Sequence, residues 1–278
     1  MNLKLRATIL SGIVALSLFV AGPVQAASAG GSSVVCRYAK QFDEVSGITP
    51  SLEHPGVLWL HNDSGGGPRI YAIDATTCKT LATLTIRGAR ARDYEAIASG
   101  RDAKGRPVLW LGDIGDNLDS WPYVEILRIR EPKVLRDATV DAKAYRFTYP
   151  DRPHNAEALL ADPHRPRVWV VTKQLAHGSL YEVPLKAQGV AVARKLRTED
   201  SLITDGAVSP DGSKYVLRDY FDATIYAGLP AGRQQVRFAL PAQVQGEAIC
   251  WTSDGRALLV ASEKERRLIR VSLPTVVR

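Results

Sequence analysis

The sequence is poor in cysteine, and its few cysteines form no metal-binding pattern. Cys36, Cys78 and Cys250 are the three cysteines among 278 residues. No Cys-x-x-Cys pair and no Cys/His spacing typical of a zinc site is present. In an oxidising compartment we expect two of the three to pair and the third to remain a free thiol.

Long apolar runs are absent after residue 26, where nothing approaches the ~18 residues that span a bilayer. Residues 1–26 contain Lys4 and Arg6, an apolar run over residues 7–21 and small residues before Ala27. This is the pattern of a cleaved secretory signal peptide. No cysteine follows the cleavage site directly, so no lipid anchor is expected. The sequence predicts a secreted protein without membrane insertion after signal removal.

Motifs for nucleic acids, nucleotides and serine hydrolases are also missing. The formal net charge is +7, but the basic residues are scattered, so no nucleic-acid partner is expected. The sequence has no Gly-x-x-x-x-Gly-Lys loop, which argues against a nucleotide cofactor. It has no Gly-x-Ser-x-Gly elbow either. Hydrophobic residues make up 45% and charged residues 23%, values that exclude disorder, collagen and coiled coil.

A short phrase, consisting of an acidic residue, a small residue and an aliphatic residue, recurs along the chain. Copies lie at residues 94–97, 156–159, 204–208 and 246–249, with a fainter one at 45–48. After each copy come a turn, a β-rich run, a polar loop and another β-rich run. A fourth β-rich run is visible at residues 81–86, 144–148, 190–195 and 235–240.

Four strands per repeat are typical of a β-propeller blade. We therefore predict an all-β protein, a β-propeller with five four-stranded blades. Six or seven blades are the alternative, if the long second repeat contains further strands. Trp59, Trp110 and Trp169 recur at one strand position and are expected in the core between blades.

The fifth repeat ends before its fourth strand, and the run 33–38 near the N-terminus is unassigned. If that run supplies the outer strand of the last blade, the ring closes and residues 27–278 form a single domain. Cys36 would then lie beside Cys78 of the first blade. We therefore expect a Cys36–Cys78 disulfide and a buried free thiol at Cys250.

The acidic residues of the repeated phrase should stand at one level around the central channel. They are Glu95, Glu157, Asp205 and Glu247. Carboxylates held this close raise each other's pKa or bind a cation, and hard oxygen ligands suit Ca²⁺ or another divalent cation. The alternative is that each carboxylate accepts hydrogen bonds from buried backbone amides at the head of its strand.

Two glycine-rich loops on the same face add further oxygen donors. One contains Asn62 and Asp63, and the other contains Asp113, Asp116 and Asn117. Side chains of this kind can converge on a cation or on a sugar hydroxyl. The alternative is a pair of tight turns that use Asp and Asn for local hydrogen bonds.

Other reactive groups on this face are few. His154, three residues before Glu157, is a candidate general base, and the candidate catalytic groups are His154, Glu157 and Glu95. A structural histidine is the alternative. The remaining candidate ligand-binding residues are Lys173, Arg218 and Asp219. The two cations could bind an anionic ligand or form only rim salt bridges. Further polar residues expected on the face are Asp93, Gln245, Glu263 and Lys264.

Several phrases resemble a family of secreted actinobacterial β-propeller proteins, often described as WD-repeat-like. They are NDSG at 62–65, DYEAIA at 93–98, GDIGDN at 112–117, TYPD at 148–151, NAEAL at 155–159 and VTK at 171–173. The resemblance implies the propeller fold, and two cysteines that recur in the family match Cys36 and Cys78. More distantly, the layout is similar to esterase-like phytase and lactonase propellers, many of which use a divalent cation.

The leading interpretation is an exported β-propeller whose acidic loop face binds a divalent cation and hydrolyses an ester or phosphoester. The alternative is a non-catalytic module that binds a glycan, a small ligand or a protein partner through that face. We expect a monomer in either case.

Overall fold

The computed structural model describes residues 31–63, 66–186 and 188–277. The predicted signal peptide, residues 1–26, lies outside the described residues. The described chain forms twenty-two β-strands and a single 3₁₀ turn, Thr275–Val277, arranged as five sheets. Among these residues, no helix has the length and apolar character needed to cross a membrane.

The strands are numbered in chain order. The first eleven are β1 (Ser32–Arg37), β2 (Val45–Pro50), β3 (Val57–Asn62), β4 (Arg69–Asp74), β5 (Thr80–Ile86), β6 (Tyr94–Arg101), β7 (Pro107–Asp113), β8 (Val124–Arg130), β9 (Ala138–Val140), β10 (Ala142–Thr148) and β11 (Ala156–Ala161). The others are β12 (Val168–Thr172), β13 (Ser179–Val183), β14 (Val190–Val192), β15 (Arg194–Thr198), β16 (Asp205–Val208), β17 (Lys214–Arg218), β18 (Asp222–Ala227), β19 (Arg233–Ala239), β20 (Gln245–Trp251), β21 (Ala257–Glu263) and β22 (Glu265–Ser272).

Each sheet contains one blade of four antiparallel strands, which confirms the predicted five-bladed β-propeller. From the channel outwards, blade 1 is β2-β3-β4-β5, blade 2 is β6-β7-β8-β10 and blade 3 is β11-β12-β13-β15. Blade 4 is β16-β17-β18-β19, and blade 5 is β20-β21-β22-β1. The inner strands β2, β6, β11, β16 and β20 contact one another in this order, and β20 contacts β2. The ring is therefore closed.

The N-terminal strand closes the ring as the sequence predicts. β1 pairs antiparallel with β22, so the first strand of the domain completes its last blade. The predicted disulfide is also confirmed, because Cys36 on β1 is bonded to Cys78 in the turn after β4 of blade 1. Cys78 adopts a left-handed backbone conformation with φ of 58°. Cys250 is a buried free cysteine, again as predicted.

The fourth strand of blade 3 lies elsewhere than the sequence indicates. The run 190–195 is divided: β14 pairs in parallel with β10 of blade 2, and β15 is the outer strand of blade 3. In the same way, β9 leaves blade 2 and pairs in parallel with β5 of blade 1. Each short strand satisfies backbone groups on the outer edge of the preceding blade. Blades 1 and 2 therefore gain a fifth strand each, and their edges are covered.

The hydrophobic core is divided into five clusters, one at each boundary between neighbouring blades. Trp59, Trp110 and Trp169 are fully buried in three of these clusters, which confirms their predicted place in the core. The indole N–H of Trp59 also donates to Oε1 of the buried Glu131 at 2.8 Å. Because the inner strands pack between neighbouring blades, the polar side chains that meet around the channel lie at strand ends and in loops.

We predict that loss of the disulfide destabilises the protein without changing its topology. The bond closes a segment of 42 residues across the seam of the ring, and loop entropy assigns about 4 kcal/mol to a loop of that length. Replacing Cys36 and Cys78 by serine should lower the free energy of unfolding in urea by about this amount. Dithiothreitol should destabilise the wild type and leave the double variant unchanged. Equal sensitivity of both proteins would contradict the prediction.

Candidate functional site

The heads of the inner strands carry a repeated irregularity that the sequence did not reveal. In four of the five inner strands that the structure describes, the pairing with the second strand of the blade skips one residue. These residues are Ser46, Glu95, Glu157 and Glu247. Such β-bulges re-aim a side chain at the end of a sheet. Three of the four repeated carboxylates therefore owe their position to the same backbone feature.

Asp63, Asp93 and Glu95 come closest together. One carboxylate oxygen from each lies within 4.8 Å of the others. Asp63 follows β3 of blade 1, whereas Asp93 and Glu95 lie at the head of β6 in blade 2, so the group spans a blade boundary. Glu95 is buried, and the two aspartates are half-buried. We call these three residues the acidic triplet.

A glycine allows the backbone to approach the acidic triplet. Gly115 lies in the loop after β7, and a methyl group there would overlap a carboxylate oxygen of Asp93 and come within 2.5 Å of Oε1 of Glu95. Its N–H donates to the carbonyl oxygen of Asp93 at 3.3 Å. The glycine in the GDIGDN phrase is therefore explained by close contact with the two carboxylates.

Glu157 links the acidic triplet to a lysine. Nζ of Lys173 donates to Oε2 of Glu157 at 2.7 Å, and the Asn155 side-chain amide donates to Oε1 at 3.3 Å. The same amide donates to Oδ1 of Asn117 at 3.2 Å, and Asn117 in turn donates to Oδ2 of Asp93 at 3.4 Å. A continuous polar network therefore runs from blade 3 to blade 2 on this face. Lys173 also lies 4.9 Å from the ring centre of Tyr220.

Blade 5 contributes two further carboxylates. The Gln245 side-chain amide donates to Oε1 of Glu247 at 3.1 Å and also to Glu263, and Lys264 donates to Oε1 of Gln245 at 2.8 Å. Oε2 of Glu247 is buried without a hydrogen-bond partner among the residues that the structure describes. Glu247 is 3% exposed. A buried carboxylate oxygen without a donor is costly unless it is protonated or meets a cation.

The carboxylates at this face bind protons more tightly than usual. Burial, together with Glu157, Asp63 and Asp93, raises the pKa of Glu95 well above its ordinary value. Burial raises the pKa of Glu157 to about 8, although Lys173 opposes the shift. Burial and neighbouring carboxylates also raise the pKa of Asp93 to about 6 and that of Glu263 to about 7. The physical cause is the same throughout, namely desolvation and like charge.

Asp113 and Asp116 lie on the same face but use their oxygens within the loops. Asp113 accepts the backbone N–H of Asp93 at 2.8 Å and Nε of Arg92 at 3.3 Å. Asp116 accepts the backbone N–H groups of Ser120 and Trp121 at 2.9 and 2.8 Å. This geometry favours the turn interpretation for both residues. Their role as metal ligands stays a prediction.

Asp205 and Arg218 hold blades 4 and 5 together, whereas Asp219 makes its contacts within blade 4. Asp205 accepts the backbone N–H of Ile249 at 2.7 Å, as the amide-capping alternative predicts. Arg218 is fully buried and donates to the carbonyl oxygen of Ala248 at 3.1 Å, and burial lowers its pKa to about 10. Asp219 accepts the backbone N–H groups of its own loop. This geometry indicates structural contacts, and a ligand-binding role for Arg218 and Asp219 stays a prediction.

His154 and Asn62 lie next to the acidic face. Nε2 of His154 is 3.0 Å from both carboxylate oxygens of Asp151 and 3.4 Å from the Tyr181 hydroxyl. Nδ1 of His154 is buried without a partner in the described part of the chain. The Asn62 amide donates to the carbonyl oxygen of Gln41 at 2.7 Å. A catalytic role for His154 and ligand binding by Asn62 stay predictions.

The sequence placed Asp93, Gln245, Glu263 and Lys264 on this face but gave them no role. These four residues do not recur at equivalent positions in other blades, whereas most of the predicted site residues were chosen because they do. The signal for Asp93 was its place two residues before Glu95 in DYEA. On an extended strand, residues two apart point to the same side.

Comparisons with known proteins support the fold. No family model matches the sequence, and no curated protein sequence matches it either. The solved structure of the PQQ-bound aldose sugar dehydrogenase from Streptomyces coelicolor is similar, with a TM-score of 0.51 and 11% sequence identity. The similarity covers 89% of this chain and 99% of that chain. At this identity the likeness shows the fold alone, and membership of the actinobacterial family stays a prediction.

We predict that the acidic face makes stability fall as pH rises. Between the ordinary glutamate pKa of 4.5 and about 8, folded Glu157 binds more protons than the unfolded chain does. The free energy of unfolding therefore decreases with pH in this window. Glu95→Gln should remove part of the repulsion and stabilise the metal-free protein by roughly 1 kcal/mol at pH 8, with little effect at pH 4.5.

Urea unfolding in EDTA at both pH values measures this effect. Asp141→Asn is the matched control, because Asp141 is exposed and pairs only with exposed Arg87. The control should leave the pH dependence unchanged. If Glu95→Gln is no more stable than the wild type at pH 8, the repulsion is not significant.

Proposed function

We propose that the acidic triplet binds a divalent cation, with Ca²⁺ as the best match. The observation that carries this proposal is the convergence of one oxygen each from Asp63, Asp93 and Glu95 within 4.8 Å. Carboxylate oxygens are the ligands that Ca²⁺ prefers, and its flexible coordination accepts donors from separate loops.

The surroundings of the acidic triplet support a cation there. Glu95 is buried among like charges that raise its pKa, and a divalent cation would replace protons and remove the repulsion. The buried Oε2 of Glu247, without a hydrogen-bond partner among the described residues, is a second, separate indication of a carboxylate that a cation would stabilise. Burial raises the pKa of Glu247, and Asp63 adds to the shift, so the two carboxylates act on one another.

We extend this proposal to hydrolysis of a neutral carboxylic ester. The cation would supply a Lewis acid that polarises the ester carbonyl. Glu157 is the best-placed base: its carboxylate would take a proton from the attacking water and return it to the departing alcohol. Lys173, at 2.7 Å from Glu157, orients that carboxylate.

The same charges argue against the phosphoester of the sequence interpretation. The two lysines at this face, Lys173 and Lys264, are outnumbered by the carboxylates of the acidic triplet, Glu157, Glu247 and Glu263. A phosphomonoester dianion would be repelled even after one divalent cation has bound. A neutral ester meets no such repulsion.

PQQ, the group named for the similar dehydrogenase structure, does not fit this face. It is a tricarboxylate, so it would add negative charge to a site already rich in carboxylates. Arg218 is fully buried and donates to Gln243, Ala248 and Asp219, and Arg92 pairs with Asp113. No step is therefore assigned to it.

A binding role without catalysis is the second candidate, and one observation favours it. Large apolar side chains are exposed on consecutive loops of blades 2, 3 and 4 around the acidic centre. They are Leu118, Trp121, Leu175 and Phe221. An apolar rim of this kind is typical of a surface that contacts a ligand or partner.

Calorimetric titration of the metal-free protein with CaCl₂ tests cation binding. We expect one site in the wild type and at least a tenfold loss of affinity in Asp93→Asn and in Glu95→Gln, since each removes a charged ligand. Asp141→Asn, an exposed residue outside the acidic face, is the control and should bind as the wild type does. The absence of binding of Ca²⁺, Mg²⁺ and Mn²⁺ to the wild type would refute the cation site.

Hydrolysis is tested with p-nitrophenyl acetate and p-nitrophenyl phosphate, with Ca²⁺ and with EDTA. We expect turnover of the acetate alone, loss of that turnover in EDTA and a loss of about 10²-fold or more in kcat for Glu157→Gln. Ca²⁺ binding without turnover of the acetate would favour the binding role instead. Faster hydrolysis of the phosphate would contradict the charge argument.

A further inference from the structure

A second surface lies on the opposite end of blade 2 from the acidic triplet. The turns that join first to second strands emerge there, including the turn around Asp102 between β6 and β7. Two adjoining grooves share Arg106 and Arg130 as lining residues. We call this surface the basic groove.

The cations of the basic groove are not neutralised by the protein. Arg128, Arg130, Lys133 and Lys143 form no ion pair within the part of the chain that the structure describes. Arg128 and Lys143 face each other directly across β8 and β10. Both lie over the ring of Tyr145, at 5.9 and 5.2 Å from its centre. Like charges at opposed positions destabilise a sheet unless a counter-charge is present.

Three of the four acidic residues that line the basic groove have other partners, and the fourth, Glu53, is outnumbered by the four unpaired cations. Asp102 is buried against Arg106, which donates to it through Nε at 2.8 Å, and two backbone amides also donate to it. Glu131 accepts the backbone N–H of Leu52 at 3.1 Å and the indole N–H of Trp59 at 2.8 Å. Asp141 pairs with Arg87 at 3.0 Å. The unpaired cations therefore determine the sign of the surface.

Apolar groups lie between the charged residues of the basic groove. Pro107, Val108 and Ala142 line the two grooves, and the stems of Arg128 and Lys143 pass over Tyr145. A ligand with acidic groups spaced along a carbon framework can satisfy both features at once. Inorganic phosphate chains have the charge but no apolar surface to place against this floor.

We propose that the basic groove binds an acidic glycan, a chain of sugars that carries carboxylate or sulfate groups. The acidic groups pair with Arg128, Arg130, Lys133 and Lys143, and the C–H faces of the sugar rings cover the apolar lining. The Cys36–Cys78 disulfide places the protein in an oxidising environment, where such polymers occur. This site does not depend on the cation site, because the two lie at opposite ends of the blade.

Heparin, a sulfated glycan, is the probe. We compare the salt concentration that elutes the protein from immobilised heparin with that from a sulfopropyl resin, which has sulfonates without a glycan chain. The wild type should elute later from heparin, and titration with soluble heparin fragments should give at least tenfold weaker binding for Arg130→Glu combined with Lys143→Glu. Both side chains are exposed, so the fold should be retained, which thermal melting checks.

The matched control is Arg37→Glu combined with Arg270→Glu. These arginines are exposed on blade 5, and the change in net charge is the same. The control should bind heparin within about threefold of the wild type. Equal loss in both double variants would show attraction by net charge alone and overturn the proposal. Equal elution from both resins, or equally tight binding of inorganic polyphosphate of matched charge, would overturn the assignment of a glycan.

Discussion

The pairing of β1 with β22 is the interaction on which the rest of the structure depends. It joins the first strand of the domain to its last blade, and the Cys36–Cys78 bond fixes this seam to blade 1. Without closure, the inner strands would not form a ring, and their heads would not meet. The candidate site needs that meeting, because its carboxylates come from blades 1, 2, 3 and 5. A site built across blades is only as well ordered as the ring that holds it.

The acidic face opposes folding, and the rest of the ring compensates for it. Glu95 and Glu157 are buried near each other, and their raised pKa values report desolvation and repulsion. The β-bulges direct these side chains, and Gly115 leaves room for them. Five apolar clusters between blades supply the opposing stability. Strain of this kind, concentrated in one place and balanced elsewhere, is typical of a functional site.

The two ends of blade 2 carry charges of opposite sign, which the net charge of the whole chain does not show. The chain has a formal net charge of +7, yet one end of the ring is dominated by carboxylates. The other end carries Arg128, Arg130, Lys133 and Lys143 without ion pairs among the described residues. The proposed cation site and the proposed glycan groove lie at opposite ends of the blade, so their fields do not cancel locally.

The sequence by itself determined the propeller architecture and the face on which the carboxylates lie, because repeats and turn residues are local signals. It predicted five blades with six or seven left open, and the closing strand and the disulfide followed from the five-bladed arrangement. The tertiary structure decided the features that arise from contact between blades. Residues 190–192 are β-forming in sequence, but only the position of β10 decides that they pair with blade 2. Arg218 looked like a loop cation and is fully buried between blades 4 and 5. Asp63 and Glu95 are 32 positions apart in the chain, and their side-chain oxygens meet because of a bulge in β6 and the packing of blade 1 against blade 2, which no spacing along the chain encodes.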